Sequence, residues 1–298
     1  MNAGIIPYPH STGNPSRGMS FELGGVNFSY PGTQKTSPAL KDVSLTIQAG
    51  QLIVIVGSNG SGKSTLIRIL SRLYDPTSGT VQIDGRPSEE YIVSDLHEAT
   101  ALLSQDNQLY PLSLHENIGL GYPDKVKDIG LVQQAAEQGG AIEFISKLKD
   151  GMSTFLEPII QPFQINLYRN KTHVLYKEMD ALRKNIDISG GERQKVVAAR
   201  SFMRFQSGKI KFVAVDEPSS ALDAESELKL FENLIKVRDG KTLVFVTHRF
   251  GHLTKYADQI ICMKDGSVCE VGSHEELFNK DGEYPKLYKI QASAFTAQ

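Results

Sequence analysis

Nine consecutive residues, Gly57-Ser58-Asn59-Gly60-Ser61-Gly62-Lys63-Ser64-Thr65, constrain this chain more than any other stretch. They fit the pattern G-x-x-x-x-G-K-[ST]. Ahead of them, Gln51 to Val56 is apolar and β-branched and reads as a strand. Behind them, Leu66, Ile67, Ile69, Leu70 and Leu73 return every three or four residues, which predicts a helix. Strand, glycine turn and helix in that order predict a phosphate-binding loop. The glycines let the backbone curl so that several N–H groups point inward at a helix N-terminus, an anion nest. Lys63 adds a point charge for β- and γ-phosphates, and the Ser64 hydroxyl is the expected Mg²⁺ ligand.

The chain has 298 residues, 40% of them apolar and 22% charged, a globular composition large enough for one big domain or two small ones. A formal net charge of −2 offers no basic field for nucleic acid. Cys262 and Cys269 form no C-x-x-C pair and read as small apolar fillers in a reducing compartment. No apolar run approaches the roughly 18–20 residues that cross a bilayer, and residues 1–19 hold no apolar signal region. The expectation is a product soluble by itself, or peripheral to a membrane through a partner.

Residues 1–19 are rich in Pro, Gly, Ser and Asn and are expected to be a disordered lead or linker. Strand-like alternation follows at 21–23 and 26–30, then at 39–47, and Thr80 to Gly85 adds a strand and turn. This part predicts a small antiparallel sheet beside a nucleotide-binding core. Tyr30 ends the second piece, and on position alone a half-buried strand tyrosine is favoured over a base-stacking ring. Ala101 to Gln105 reads as a short strand ending in an amide that its own chemistry does not single out. Three short helices are expected at 114–118, 129–136 and 142–148, broken by Gly121, Pro123, Gly139 and Gly140. An amphipathic helix is expected near 174–186. Ser189-Gly190-Gly191-Glu192 then opens another, either a plain capped helix or a second anion site.

Phe212-Val213-Ala214-Val215-Asp216-Glu217-Pro218 is the second strong signal. An apolar strand ends in two carboxylates. In a phosphate-loop NTPase an Asp there helps to hold Mg²⁺. Glu217, one position on, can orient or deprotonate a water. Lys241 to His248 is another buried strand, ended by the histidine, which reads as structural for want of other metal ligands. Asp265-Gly266 marks a hairpin, and helices close the chain.

In their order, these motifs resemble the nucleotide-binding domain of ATP-binding-cassette (ABC) proteins over residues 20–292, with a tail at 293–298. Gly57 to Thr65 is similar to the Walker A motif and Phe212 to Glu217 to Walker B. Gln105 falls at the Q-loop glutamine, Ser189 to Glu192 at the signature motif, and Ser220 to Asp223 at the D-loop. His248 falls at the switch histidine and Tyr30 at the adenine-stacking aromatic, which reverses the reading from position alone. Pro111 to Ile118, Asp150-Gly151, Tyr256 to Gly266, Gly272 to Leu277 and Gly282-Glu283-Tyr284 resemble exporter-type domains. The stretches Phe202-Met203-Arg204 and His248 to Gly251 resemble some fungal exporter-like members.

The fold implied is an α/β P-loop NTPase core, mostly parallel sheet with helices. An antiparallel β subdomain and a helical subdomain at about 106–205 complete it, the latter carrying the signature and an insertion at about 158–187. The activity implied is hydrolysis of ATP to ADP and phosphate by a head-to-tail pair of such domains, as homo- or heterodimer. ATP would lie between Lys63 of one copy and Ser189 of another, with Tyr30 on the adenine and Asp223 counted among the nucleotide-site residues. Ser64 and Gln105 would ligate Mg²⁺ directly and Asp216 through water. Glu217 would polarise the attacking water and His248 would hold the γ-phosphate. The partner implied is a transmembrane domain, which places the chain on the cytoplasmic face of a membrane, with no nucleic acid.

Three departures are visible. Ile188 and Glu192 stand where exporters more often carry leucine and glutamine. The 37 positions from Gly151 to Ile188 exceed the usual spacing and leave only Glu157 as a candidate for the acidic loop that meets a membrane domain. The membrane helices that exporters usually fuse ahead of this domain are absent from this sequence. A soluble ABC ATPase acting on nucleic acid, ribosome or protein complexes is the alternative, but 132 positions from Gly57 to Ser189 without long heptads disfavour a DNA-repair member.

Overall fold

The structure is a computed structural model that describes residues 4–9, 18–32, 37–104, 108–156, 188–217, 222–247, 251 and 253–296. The described residues fall into two compact units. The first draws on Met1–Gln105, Gly208–Ser220 and Leu234–Gln298, the second on Asp106–Ser207 and Ala221–Asn233. The helix expected near 174–186 and the insertion lie outside the described residues.

Unit 1 holds two sheets. The first contains β1 (Phe21–Phe28), β2 (Leu40–Ile47), β4 (Ser78–Ile83) and β5 (Arg86–Pro87), all antiparallel, in the order β2-β1-β4-β5. The two strand pieces expected at 21–30 are one strand, with a register irregularity at Gly24–Val26 where two glycines meet. The second sheet runs β10-β9-β3-β8-β7-β6, with β3 (Leu52–Gly57), β6 (Thr100–Leu103), β7 (Phe212–Asp216), β8 (Thr242–Val246), β9 (Gln259–Lys264) and β10 (Ser267–Gly272). Every pair is parallel except the β9–β10 hairpin.

Every residue of β3, β7 and β8 is buried, as continuous apolar strands covered on both faces must be. Phe21 of the first sheet meets Phe212 of the second edge-on, with ring centroids 4.7 Å apart. The parallel strands pair nearly in step, Asp216 opposite Val246 and Val215 opposite Leu103. β3, β8, β7 and β6 therefore all end at one edge of the sheet, where an open α/β sheet presents its ligand crevice. Helices α1 (Lys63–Leu70) and α2 (Val93–Glu98) complete the N-terminal part of the unit.

Residues 4–9, inside the stretch expected to be a lead or linker, pack on this unit. Ile6 bridges Tyr91 in parallel, Ile5 and Ile6 N–H both donate to Glu90 O at 3.0 and 2.9 Å, and Ile92 N–H donates to Ile6 O at 2.8 Å. Tyr8 is buried edge-on against Tyr91, with centroids 5.4 Å apart, and its hydroxyl donates to Asp84 Oδ2 at 2.8 Å. Burial first, then the neighbouring Asp84, raises its pKa.

Unit 2 is helical. α3 (Leu114–Gly119), α4 (Ile129–Gln138), α5 (Ile142–Ile145) and α6 (Gly190–Phe205) are followed by α7 (Ala224–Lys236), whose last turn passes into unit 1. α6 packs against α3 and α4 through Val196, Ala199, Phe202 and Met203, all buried. The chain closes in unit 1 with α8 (His274–Phe278) and α9 (Glu283–Thr296). Among the described residues no helix is long and apolar enough to cross a membrane.

Candidate functional site

The glycine loop leaves the C-terminal end of β3, the third strand from one edge of the six. Gly57 has φ 153°, and a Cβ there would stand 2.3 Å from Met263 O of the paired strand β9. Only glycine fits so close an approach. The loop then closes on itself, with Ser61 N–H on Ser58 O at 3.2 Å, and Gly62, in left-handed conformation, opens α1. Lys63 is buried, and its Nζ donates to Gly57 O and Ser58 O, both at 3.0 Å. Burial holds the ammonium below its ordinary pKa, against the fields of Glu217 and Asp216. A desolvated cation folded into a turn beside two carboxylates is equipped to meet anionic oxygens.

Ser64 sits one residue further and donates its hydroxyl to Asp216 Oδ1 at 2.9 Å, across 152 residues of sequence. Asp216 ends β7, and burial lifts its carboxyl above the usual range while the Ser64 hydrogen bond pulls it down. A serine hydroxyl beside an aspartate carboxylate is a pair of hard oxygens, the donor set that Mg²⁺ takes from a protein when phosphates and waters supply the rest. Among the described residues no group of three His, Cys, Asp or Glu forms a fuller cage. The residues present fit Mg²⁺ on those terms. Glu217 follows in left-handed conformation, φ 47°, with its N–H on Val246 O at 2.8 Å. That bond ties the carboxylate pair to the end of β8, which leads toward His248. Both His248 and Gln105 lie outside the described residues, as do Ser220 and Ala221.

Tyr30 is half-buried, edge-on to Phe28 and Tyr74 with centroids 5.0 and 5.5 Å away. Its hydroxyl shares a hydrogen bond with Thr65 Oγ1 at 3.1 Å, so the ring is tied to the loop helix. Sequence reasoning missed the residue that holds it. Arg68 donates from Nη1 to Tyr30 Oη at 2.9 Å, its guanidinium carbon is 5.8 Å from the ring centroid, and its charge also favours ionised Asp216. The signal was available, because Arg68 stands four residues after Ser64 and so shares its helix face.

In unit 2, Ser189 caps α6. Its Oγ accepts from Glu192 N–H at 3.3 Å and its N–H donates to Glu192 Oε2 at 2.7 Å, a reciprocal capping box. Ser189 and Gly190 are exposed and Gly191 is half-buried. Asp223 precedes α7 and accepts from Ser226 N–H at 2.8 Å and Ser226 Oγ at 3.0 Å, which lowers its pKa.

The family model described as ABC transporter matches residues 40–220. An ATP-dependent lipid A-core flippase of Vibrio vulnificus (strain CMCP6) is 35% identical over 266 residues, covering 89% of this chain and 40% of the flippase. The ABC transporter B family member 1 of Arabidopsis thaliana is 35% identical over 92% of this chain and 19% of its own length. The ABC-type transmembrane transporter verA of Clonostachys rogersoniana is 34% identical over 90% and 19%. The chain thus spans 40% or less of these curated relatives. A solved bacterial Atm1-family ABC exporter with ATP bound superposes with TM-score 0.76 at 25% identity, over 98% of this chain and 43% of that one. The chain belongs to the ABC transporter family, as a nucleotide-binding domain of the exporter type.

Proposed function

We propose that this chain is the ATP-hydrolysing motor of a membrane exporter, working as a head-to-tail pair, homo- or heterodimeric, on the cytoplasmic face of a membrane and joined to a transmembrane domain. The observation that carries the reading is the meeting of Ser64 with Asp216 beside buried Lys63. Two carboxylates, a hydroxyl and a desolvated cation converge on the glycine loop from the ends of two strands, and phosphoryl transfer needs that set.

Tyr30 stacks on the adenine, and the amides of Ser58 to Thr65 with Lys63 hold the phosphates. To do so, the Lys63 ammonium exchanges its bonds with Gly57 O and Ser58 O for phosphate oxygens. Ser64, Gln105 and, through water, Asp216 would hold Mg²⁺, which would supply positive charge for the phosphate oxygens. Ser189, Gly190, Gly191 and Glu192 close on the γ-phosphate from a second copy, with Asp223 beside them. Glu217 takes a proton from the attacking water as its oxygen bonds the γ-phosphorus, and the bond to the ADP oxygen breaks. His248 holds the γ-phosphate in line. ATP and water become ADP and phosphate, and the pair opens.

Glu217→Gln is expected to bind ATP, lose nearly all turnover and accumulate an ATP-dependent dimer, followed by phosphate release and size-exclusion chromatography. Turnover at the parent rate in that variant removes Glu217 from the mechanism.

A further inference from the structure

Unit 2 holds a polar assembly, centred on a buried amide, that the site described above does not use. Asn117, on α3, is fully buried and uses its whole amide. Its Nδ2 donates to Tyr110 O, Leu112 O and Ser113 O at 3.1, 3.2 and 3.0 Å, and its Oδ1 accepts from Tyr110 N–H at 2.9 Å. Arg200, on α6, grips the same residue. Nε donates to Asn117 O at 2.8 Å, Nη2 to Asn117 Oδ1 at 3.0 Å and Nη1 to Gln108 O at 3.2 Å. The guanidinium also lies over the Tyr110 ring, 5.2 Å from its centroid. The helices approach closely beside this point, since a Cβ on Gly121 would stand 2.0 Å from Arg200 O.

We propose that Arg200 is a positioning residue that fixes the signature helix to the segment 108–117, so that Ser189 and this segment move as one body. The reasoning is geometric. Ser189 and Arg200 are eleven residues apart on one helix, about three turns and 16 Å, and lie on nearly the same face. The serine stands at the free end, and the guanidinium anchors the shaft three turns behind it. A planar fork with three bonds to fixed carbonyl and amide oxygens and a ring against its face holds an angle that a single ammonium does not. The anchored segment begins three residues after Gln105.

This inference rests on the reading of Ser189 as a phosphate contact in the closed pair. It is tested on the full chain with Arg200→Lys and Tyr110→Leu, alone and in the Glu217→Gln background. Fold is followed by circular dichroism, ATP affinity of dilute protein by a fluorescent ATP analogue, and turnover across protein concentration. Loss of aim at Ser189 lowers kcat and the ATP-driven dimerisation constant of Arg200→Lys by about ten- to a hundredfold. The affinity of dilute protein, set by Lys63 and its loop, stays within twofold of the parent. Tyr110→Leu, at an exposed ring, lowers kcat in the same sense by about two- to fivefold. A merely structural role moves the melting curve and leaves kcat per folded molecule unchanged, and that result overturns the inference. A rise in KM at unchanged kcat also overturns it. If parent turnover is flat across protein concentration and Ser189→Ala keeps the full rate, the reading of Ser189 fails, and the inference fails with it by a separate signature.

Discussion

Replacing Gly57 by alanine is expected to disable the nucleotide site, while the same change at Gly60 is expected to be tolerated. Both residues have positive φ, 153° and 80°, so an alanine at either stores roughly 1–3 kcal/mol of backbone strain. Around Gly60 nothing lies within 4 Å of the added carbon, and strain is the whole cost. At Gly57 the carbon would stand 2.3 Å from Met263 O and 2.6 Å from Ser61 Oγ. A tolerable carbon–oxygen contact is about 3.3 Å, so the end of β3 must part from β9 by about 1 Å. Gly57 and Met263 are register partners in the parallel ladder, so that movement strains the strand pair that launches the loop. Overpacking of this kind adds about 1–3 kcal/mol. Gly57→Ala therefore loses roughly 2–6 kcal/mol and Gly60→Ala roughly 1–3 kcal/mol, out of a total on the order of 10 kcal/mol. Urea melts followed by far-UV circular dichroism give the two values, which suits a chain with no tryptophan. A fluorescent ATP analogue reports the site. Gly60→Ala should keep its affinity within about tenfold of the parent, a cost of 1.4 kcal/mol or less, and Gly57→Ala should show no saturable binding. Equal losses in the two variants would refute the reasoning, because the contacts with Met263 O and Ser61 Oγ are what distinguish them.

Two further outcomes follow from particular contacts. Tyr8→Phe removes the hydroxyl bond to Asp84, whose exposed carboxylate can turn to water, so the loss is about 1 kcal/mol; faster hydrogen exchange at the Ile92 amide, which donates to Ile6 O, shows residues 4–9 loosening, and unchanged exchange shows that the bond does not hold them. Asp216→Asn should raise the melting temperature of the nucleotide-free protein at neutral pH while turnover collapses. Burial raises the Asp216 pKa in the folded state, so the folded protein binds that proton more tightly than the unfolded chain, and stability is lost as pH rises from the unfolded value of about 3.9 through the folded one. Melts at matched pH should show the gain at pH 7 shrinking to nothing below that window.

Much of the fold was legible because its strands are extreme. β3, β7 and β8 are unbroken apolar runs between turns, and only a strand buried on both faces has that composition. The order in which they pair was not legible, since Val215 and Val244 carry nothing that selects a neighbour. The short elements were missed for lack of period: β5 has two residues, and α2 buries only Leu96. Residues 4–9 were read from Pro7, Pro9 and the glycines around them, which do predict irregular backbone. Irregular backbone can still dock when it carries one large ring and a partner for its hydroxyl, and Tyr8 has both in Tyr91 and Asp84.

At the site, the residues that would touch the reacting atoms announced themselves, and those that hold them in place did not. Phosphate chemistry accepts few residue types at few spacings, so Lys63, Ser64 and Asp216 stand out even though 152 residues separate the last two. Holding is less selective. Arg68 on Tyr30, and Arg200 with Asn117, are charged or amide side chains of kinds mostly found in water, and each sits on a helix whose pattern places it no more firmly than its neighbours. Their work depends on what the fold brings to them: for Arg68 a ring 38 residues away, for Arg200 an amide 83 residues away. A cation held in place only because its acceptors are already fixed leaves no trace in periodicity, composition or motif. The aim of Ser189 is therefore decided at a position that spacing alone marks as ordinary.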